Sequence, residues 1–263
     1  MVNPENTKKK NVALVLSSGG ARGLAHIGAI QELEARGYNI SSIAGCSMGA
    51  LIGGVYAAGK LQEFREWMKT INKKKMLKLT DFSLSLNHIV KGNRIIEAIM
   101  EFVPDVDIED LPIPYCAVAT DLVTGKEIIF RKGSLFEAIR ASISLPSFYQ
   151  PVQRDGMILI DGGVLNPIPL NRVKRNAGDI LVGIDVSGSD VSVNMELNHF
   201  SVLSRASSLM IRQNSILMTK IMKPDMLVDI QMSHYGTFDF DKSEKIVAIG
   251  QHRTAREIKK SKL

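Results

Sequence analysis

The pentapeptide Gly45-Cys46-Ser47-Met48-Gly49 sets a serine between two glycines in the G-x-S-x-G spacing of a nucleophile elbow. Acyl transfer by serine requires a hydroxyl exposed on a sharp strand-to-helix turn, a base for its proton, and donors for the oxyanion. Ser47 is the candidate nucleophile. Gly45 and Gly49 suit the turn because side chains there would strike the neighbouring strand and helix. The N–H of Met48, just after the serine, is one candidate oxyanion donor. A second source is Gly19-Gly20-Ala21-Arg22-Gly23, where missing side chains let backbone N–H groups converge on an anion. Arg22 adds positive charge there or braces the loop.

The base is harder to read. None of the five histidines, His26, His88, His199, His234 and His252, stands in a recognisable catalytic setting. His26 falls in the first turns of a helix and reads as structural. Asp161 ends a strand and is followed by Gly162 and Gly163, so its carboxylate can approach another loop closely. The same pattern also describes an ordinary Asp that starts a turn. The glycine loop admits a rival, dinucleotide-binding reading. Ser18, however, takes the place of the first glycine of G-x-G-x-x-G, and the next strand runs into Cys46 and Ser47 with no acidic residue for a ribose.

These groups need elements to hold them. Residues 11–17 read as a buried strand and 24–36 as a helix with Gly37 as its C-cap. Residues 40–44 read as a second strand and 48–58 as a small-residue helix behind the elbow. This order, with right-handed crossovers, predicts a three-layer α/β/α fold with a mostly parallel central sheet. Further strands are expected at 115–119, 126–130, 152–154, 157–160, 180–186 and 226–230. Thr124-Gly125 joins the first two of these and Asp155-Gly156 the next two, each as a hairpin. Further helices are expected at 61–79, 93–102, 134–143, 200–222 and 243–260, with 187–198 polar and irregular. Leu61, Phe64, Trp67, Met68 and Ile71 fall at helical spacing and Lys73 to Lys75 follow. Core packing is preferred for this segment over a membrane-touching lid.

At 263 residues the chain can bury a large core, and one domain over 11–263 is expected behind a basic tail at 1–10. Lys8 to Lys10 before residues 12–16 imitate a signal peptide, but the apolar run falls short of the usual ~7–15 residues, and secretion is not expected. Residues 44–59 are the strongest apolar stretch, shorter than the ~20 a membrane span needs. Two cysteines, Cys46 and Cys116, suit a reduced, cytoplasmic setting. Cys46 is expected to be a buried filler whose side chain points to the far side of the elbow. A net charge of +6, with lysines clustered at 8–10, 73–75 and 259–262, suits a solvated face or an anionic lipid surface; no nucleic-acid motif accompanies it. No His/Cys/Asp cluster has metal-ligand spacing, and no metal or cofactor is expected.

Taken together, the motifs resemble the patatin-like phospholipases, in the form of a bacterial member. Ser18 to Gly23 resembles the family's glycine-rich oxyanion loop and Gly45 to Gly49 its serine elbow. Ala138-Ile139-Arg140-Ala141-Ser142 through Leu145-Pro146 resembles the helix and turn that brace the site. Asp161-Gly162-Gly163 with Asn166-Pro167 resembles the aspartate motif, and Ala119-Thr120-Asp121 with Thr124-Gly125 a further segment. The resemblance runs in order over residues 11–186 and departs at Ser18, where the family usually has a third glycine. It implies a patatin-like fold and a Ser-Asp dyad hydrolysing acyl esters of lipids. Ser47 would be the nucleophile, Asp161 the base, and the loop at 19–22 with Met48 the oxyanion hole. Two alternatives remain: an α/β-hydrolase triad using His234 or His252, and a non-catalytic lipid-binding or regulatory protein on the same scaffold.

Overall fold

The computed structural model describes residues 10–79, 93–146, 148–188 and 198–261. Its elements run β1 (Lys10–Leu16), α1 (Ala25–Ala35), β2 (Tyr38–Cys46), α2 (Met48–Ala57), α3 (Leu61–Lys69), α4 (Lys73–Leu79) and α5 (Asn93–Met100). Then come β3 (Tyr115–Asp121), β4 (Lys126–Phe130), α6 (Leu135–Ser142), β5 (Val152–Arg154), β6 (Met157–Asp161), β7 (Ile180–Asp185), α7 (His199–Met222), β8 (Met226–Asp229) and α8 (Ser243–Ser261). Of the expected basic tail, residues 1–9 lie outside the described residues and Lys10 opens β1. Most of the irregular 187–198 segment and His88 also lie outside them.

The sheet order is β5-β6-β3-β2-β1-β7-β8, with β4 paired to β3. β1, β2, β7, β8 and the start of β3 run parallel; the two expected hairpins, β3–β4 and β5–β6, are antiparallel, and so is the β3–β6 pair that joins them. Alternation along β1 separates two cores. Val12, Leu14 and Leu16 face a large core with α1, α2, α6 and α8. Ala13 and Val15 face a smaller one, closed by Ile168 and Leu170 and by Met218 and Met222 of α7. This is the expected three-layer arrangement.

β3 aligns the parts of the site. β2 runs parallel to its first half, and Cys46 ends opposite Val118. β6 runs antiparallel to its second half, and Asp161 ends opposite Ala119. Two strands travelling towards each other along β3 therefore end at adjacent positions, which brings the residue after Cys46 up against Asp161.

The helix expected at 61–79 is two helices, α3 and α4, broken at Ile71-Asn72. Phe64 is 1 % exposed, and Leu61 and Met68 are buried beside it. Trp67 packs between Phe64 and Phe102, with ring centroids 5.8 Å away on each side. The apolar face of α3 belongs to the core.

Candidate active site

Ser47 sits between β2 and α2 at φ 54° and ψ −122°, a conformation that costs an L-residue about 1–3 kcal/mol and persists only where the surroundings impose it. Here they do. A Cβ at Gly45 would lie 2.5 Å from the Gly49 carbonyl oxygen, and one at Gly49 would run into the Leu16 backbone, so the turn closes only with glycine at both places. The Ser47 N–H donates to Ser142 Oγ at 2.8 Å, and that hydroxyl donates to the Val118 carbonyl at 2.7 Å. Tyr115 of β3 donates its hydroxyl to the Ala50 carbonyl at 2.8 Å, holding the first turn of α2.

Ser47 Oγ donates to Asp161 Oδ2 at 2.5 Å. The other carboxylate oxygen, Oδ1, accepts the Gly163 N–H at 2.7 Å. Gly162 permits the tight turn behind Asp161, because a Cβ there would strike the Val118 backbone. Asp161 is 2 % exposed, and burial pushes its pKa up to about 6, against the hydrogen bonds that favour the anion. The Cys46 side chain does not point to the far side of the elbow. Its Sγ lies 3.8 Å from Asp161 Oδ1, and burial with the nearby carboxylate pushes the thiol pKa well up, so it stays a neutral donor. Cys46 and Cys116 are both free and buried.

The glycine loop crosses beside the elbow. Gly20 has φ 56°, and a Cβ there would strike Thr237. Ser18, in the place of the missing glycine, needs no positive φ and donates its N–H to the Pro167 carbonyl at 2.8 Å. The Ala21 N–H, expected to face an oxyanion, instead donates to the Thr237 carbonyl at 2.8 Å. Of the two roles open to Arg22, bracing is visible: it donates to the carbonyls of Gly19 and Gly188. Gly19, Gly20, Met48, Ser47 and Asp161 share an open cavity walled by Leu51, Ile143, Leu145, Tyr149, Phe238 and Phe240 among others.

No described histidine lines this cavity. His26 is fully buried with Nε2 2.9 Å from the Ser17 carbonyl, and burial lowers its pKa to about 4, so it stands neutral and donates that bond. His234 and His252 line a different cavity with Tyr235 and Arg256. Among the described residues, no three His, Cys, Asp or Glu side chains come together as metal ligands.

Sequence reasoning gave no individual role to several parts of this site. Ser142 ends the Ala138-to-Ser142 motif, but nothing in its neighbours marks it as the bridge between the elbow and β3. Arg140 donates to Ser144 Oγ and to the Gln150 carbonyl, and the Ser144 carbonyl accepts the Asp161 N–H at 2.9 Å. Thr237, Phe238 and Phe240 come from the C-terminal third, where no motif signals them. Asn166 ties the aspartate motif to Glu127, itself paired with Arg172.

Residues 14–173 match the family model described as patatin-like phospholipase. An uncharacterised NTE family protein of Mycobacterium tuberculosis is 49% identical over 179 residues, which are 68% of this chain and 50% of that protein. The neuropathy target esterase sws of Drosophila melanogaster is 33% identical over 187 residues, 68% of this chain and 13% of its own length. The chain thus spans about half the length, or less, of these curated relatives. The crystal structure of VipD from Legionella pneumophila superposes with a TM-score of 0.56 at 15% identity, over 96% of this chain and 67% of that one, which shows a shared fold. With the family model covering more than half of its residues, in a stretch that contains both Ser47 and Asp161, the chain belongs to the patatin-like phospholipase family.

Proposed function

We propose that this protein is a serine acyl hydrolase that cleaves carboxylic ester bonds of lipids through a Ser47–Asp161 dyad, with 11–263 working as one hydrolase domain. The observation that carries this reading is the 2.5 Å hydrogen bond from Ser47 Oγ to a buried carboxylate, at the head of a helix and inside a largely apolar cavity. As Ser47 Oγ bonds to the acyl carbon, its proton passes to Asp161 Oδ2 and the carbonyl electrons move to oxygen. The N–H groups of Met48, Gly19 and Gly20 are the donors assigned to that oxyanion, aided by the positive end of α2. Collapse expels the alcohol, which leaves with the proton from Asp161. Water then adds to the acyl-enzyme with Asp161 again as base, and the fatty acid departs.

A free Asp, with a pKa near 3.9, is a weak base for a hydroxyl. Raising it to about 6 makes the proton transfer more favourable while leaving the carboxylate ionised near neutrality. Phospholipid, lysophospholipid and neutral acyl esters are the substrate class. Two free thiols support a reducing, cytoplasmic setting, with contact at the periphery of anionic membranes. No helix among the described residues is long and apolar enough to cross a membrane.

The test is labelling with a fluorophosphonate followed by peptide mapping. The adduct is expected on Ser47 and absent from Ser47→Ala. Asp161→Asn should lose on the order of 10³ or more in turnover, whereas His234→Ala and His252→Ala stay within about tenfold. A large loss at either histidine, with Asp161→Asn still active, would favour the triad. A wild-type protein that takes no label would leave a lipid-binding scaffold.

A further inference from the structure

We infer that the outer face of α7 is a docking surface for an anionic phospholipid bilayer, placed so that lipid passes from the bilayer to Ser47; this rests on the hydrolase reading above. At 100° per residue, the exposed residues of α7 fall on one arc about 120° wide. That arc carries Val202, Leu203, Leu209, Met210, Leu217 and Ile221, each between 46% and 72% exposed. His199, Ala206, Gln213 and Lys220 are the other exposed positions along it.

The helix needs none of these side chains to hold its place. Its inner side is fixed separately: Met218 and Met222 pack on the smaller core, Ser215 and Arg212 bond Asp185, and Arg212 also bonds Asp229. An apolar arc turned to solvent on a helix already docked by its opposite side is the kind of patch that marks an interaction surface.

Charge selects the occupant. Apart from Arg212, whose charge is taken up on the inner side by Asp185 and Asp229, α7 carries the cations Arg205 and Lys220 and no acidic residue, and Lys223 follows at its C-cap. A long apolar face with cations along and beyond it suits an anionic lipid surface. Position agrees with charge. Leu203, Met210 and Ile211 line a second cavity with Leu145, Pro146, Phe148 and Val164. That cavity shares Leu145, Ser208, Ile211 and Thr237 with the cavity that holds Ser47. Phe238 is 42% exposed and packs against Phe148 with ring planes tilted by 50° and centroids 4.7 Å apart, extending apolar surface from α7 to the Ser47 cavity. An acyl chain leaving a bilayer at α7 thus meets apolar lining up to the dyad.

Leu217 and Ile221 line neither cavity, so Leu217→Glu/Ile221→Glu tests the surface without touching the site. Binding is read by co-sedimentation with phosphatidylglycerol–phosphatidylcholine vesicles at low ionic strength, in a Ser47→Ala background that leaves the lipid intact. Expected is a loss of binding of about tenfold or more in the double variant, with turnover of a soluble short-chain ester, read with Ser47 present, within about twofold of wild type. Equal binding with and without the two substitutions would overturn the inference. So would a protein that ignores vesicles and instead self-associates through Leu217 and Ile221. Absent soluble turnover with vesicle binding intact would instead count against the hydrolase reading alone.

Discussion

Asp161 must be ionised to accept the Ser47 proton, so its pKa sets the acid side of the proposed reaction. Burial holds it at about 6, roughly two units above a free carboxyl, which corresponds to about 3 kcal/mol disfavouring the charged form. Full removal of the hydrogen bonds from Ser47, Gly163 and Cys46 would push it higher still, because each bond favours the anion. The expected kcat/KM profile for a soluble ester rises with a slope of one, has its midpoint near pH 6, and is level above it. His26 is neutral and bonded to Ser17, and the other described histidines stand away from the cavity, so His234→Ala and His252→Ala should leave that midpoint in place. A limb centred near pH 4, or one that moves with either histidine, would remove Asp161 from the role of base.

At the level of elements, β3 is the part on which the geometry turns, and Ser142 transmits it to the elbow. Ser142 Oγ accepts from Ser47 and donates to Val118, the residue opposite Cys46. Ser142→Ala leaves a backbone N–H and a backbone carbonyl without this partner, at a cost of about 1–3 kcal/mol of stability. Because the strained turn at Ser47 loses a support, kcat should fall about tenfold with KM little changed. Threonine, which keeps the hydroxyl, should restore much of both; a Ser142→Ala enzyme with full kcat would show the brace to be dispensable. What could be read from the sequence follows the same division. The elbow, the helix behind it, the glycine loop and both hairpins are local, carried by glycine spacing and turn chemistry within a few residues, and they stand where expected to within a residue or two at most ends. The sharing of β3 between β2 and β6 pairs residues more than seventy or about forty positions apart, which no local pattern encodes. The break in 61–79 was hidden because Ile71 continues the helical spacing across it. The fate of the Ala21 N–H was hidden because its partner, Thr237, comes from a loop with no motif.

For the whole molecule, Asp161 and His26 make opposite demands on stability over nearly the same pH range. Unfolded, Asp161 would titrate near 3.8; folded, it holds its proton until about pH 6. Its contribution to stability is therefore complete below about pH 4 and is lost as pH rises through 6, by about 3 kcal/mol in total. His26 is lowered from 6.5 to about 4, so the unfolded chain binds its proton first and stability falls as pH drops from 6.5 to 4 by a similar amount, about 3 kcal/mol. The two slopes nearly cancel in the wild-type protein. Asp161→Asn removes one and exposes the other. The variant should match wild type near pH 4, gain on it steadily to pH 6, and exceed it by about 2–3 kcal/mol at pH 7 and above, while turnover is lost. Urea denaturation midpoints at intervals between pH 4.5 and 8 read this directly, since a constant m-value lets the midpoint shift report stability. Parallel profiles for the two proteins would mean that the folded environment does not disfavour the Asp161 charge, and that the carboxylate proposed as the base is no stronger a base than one in water.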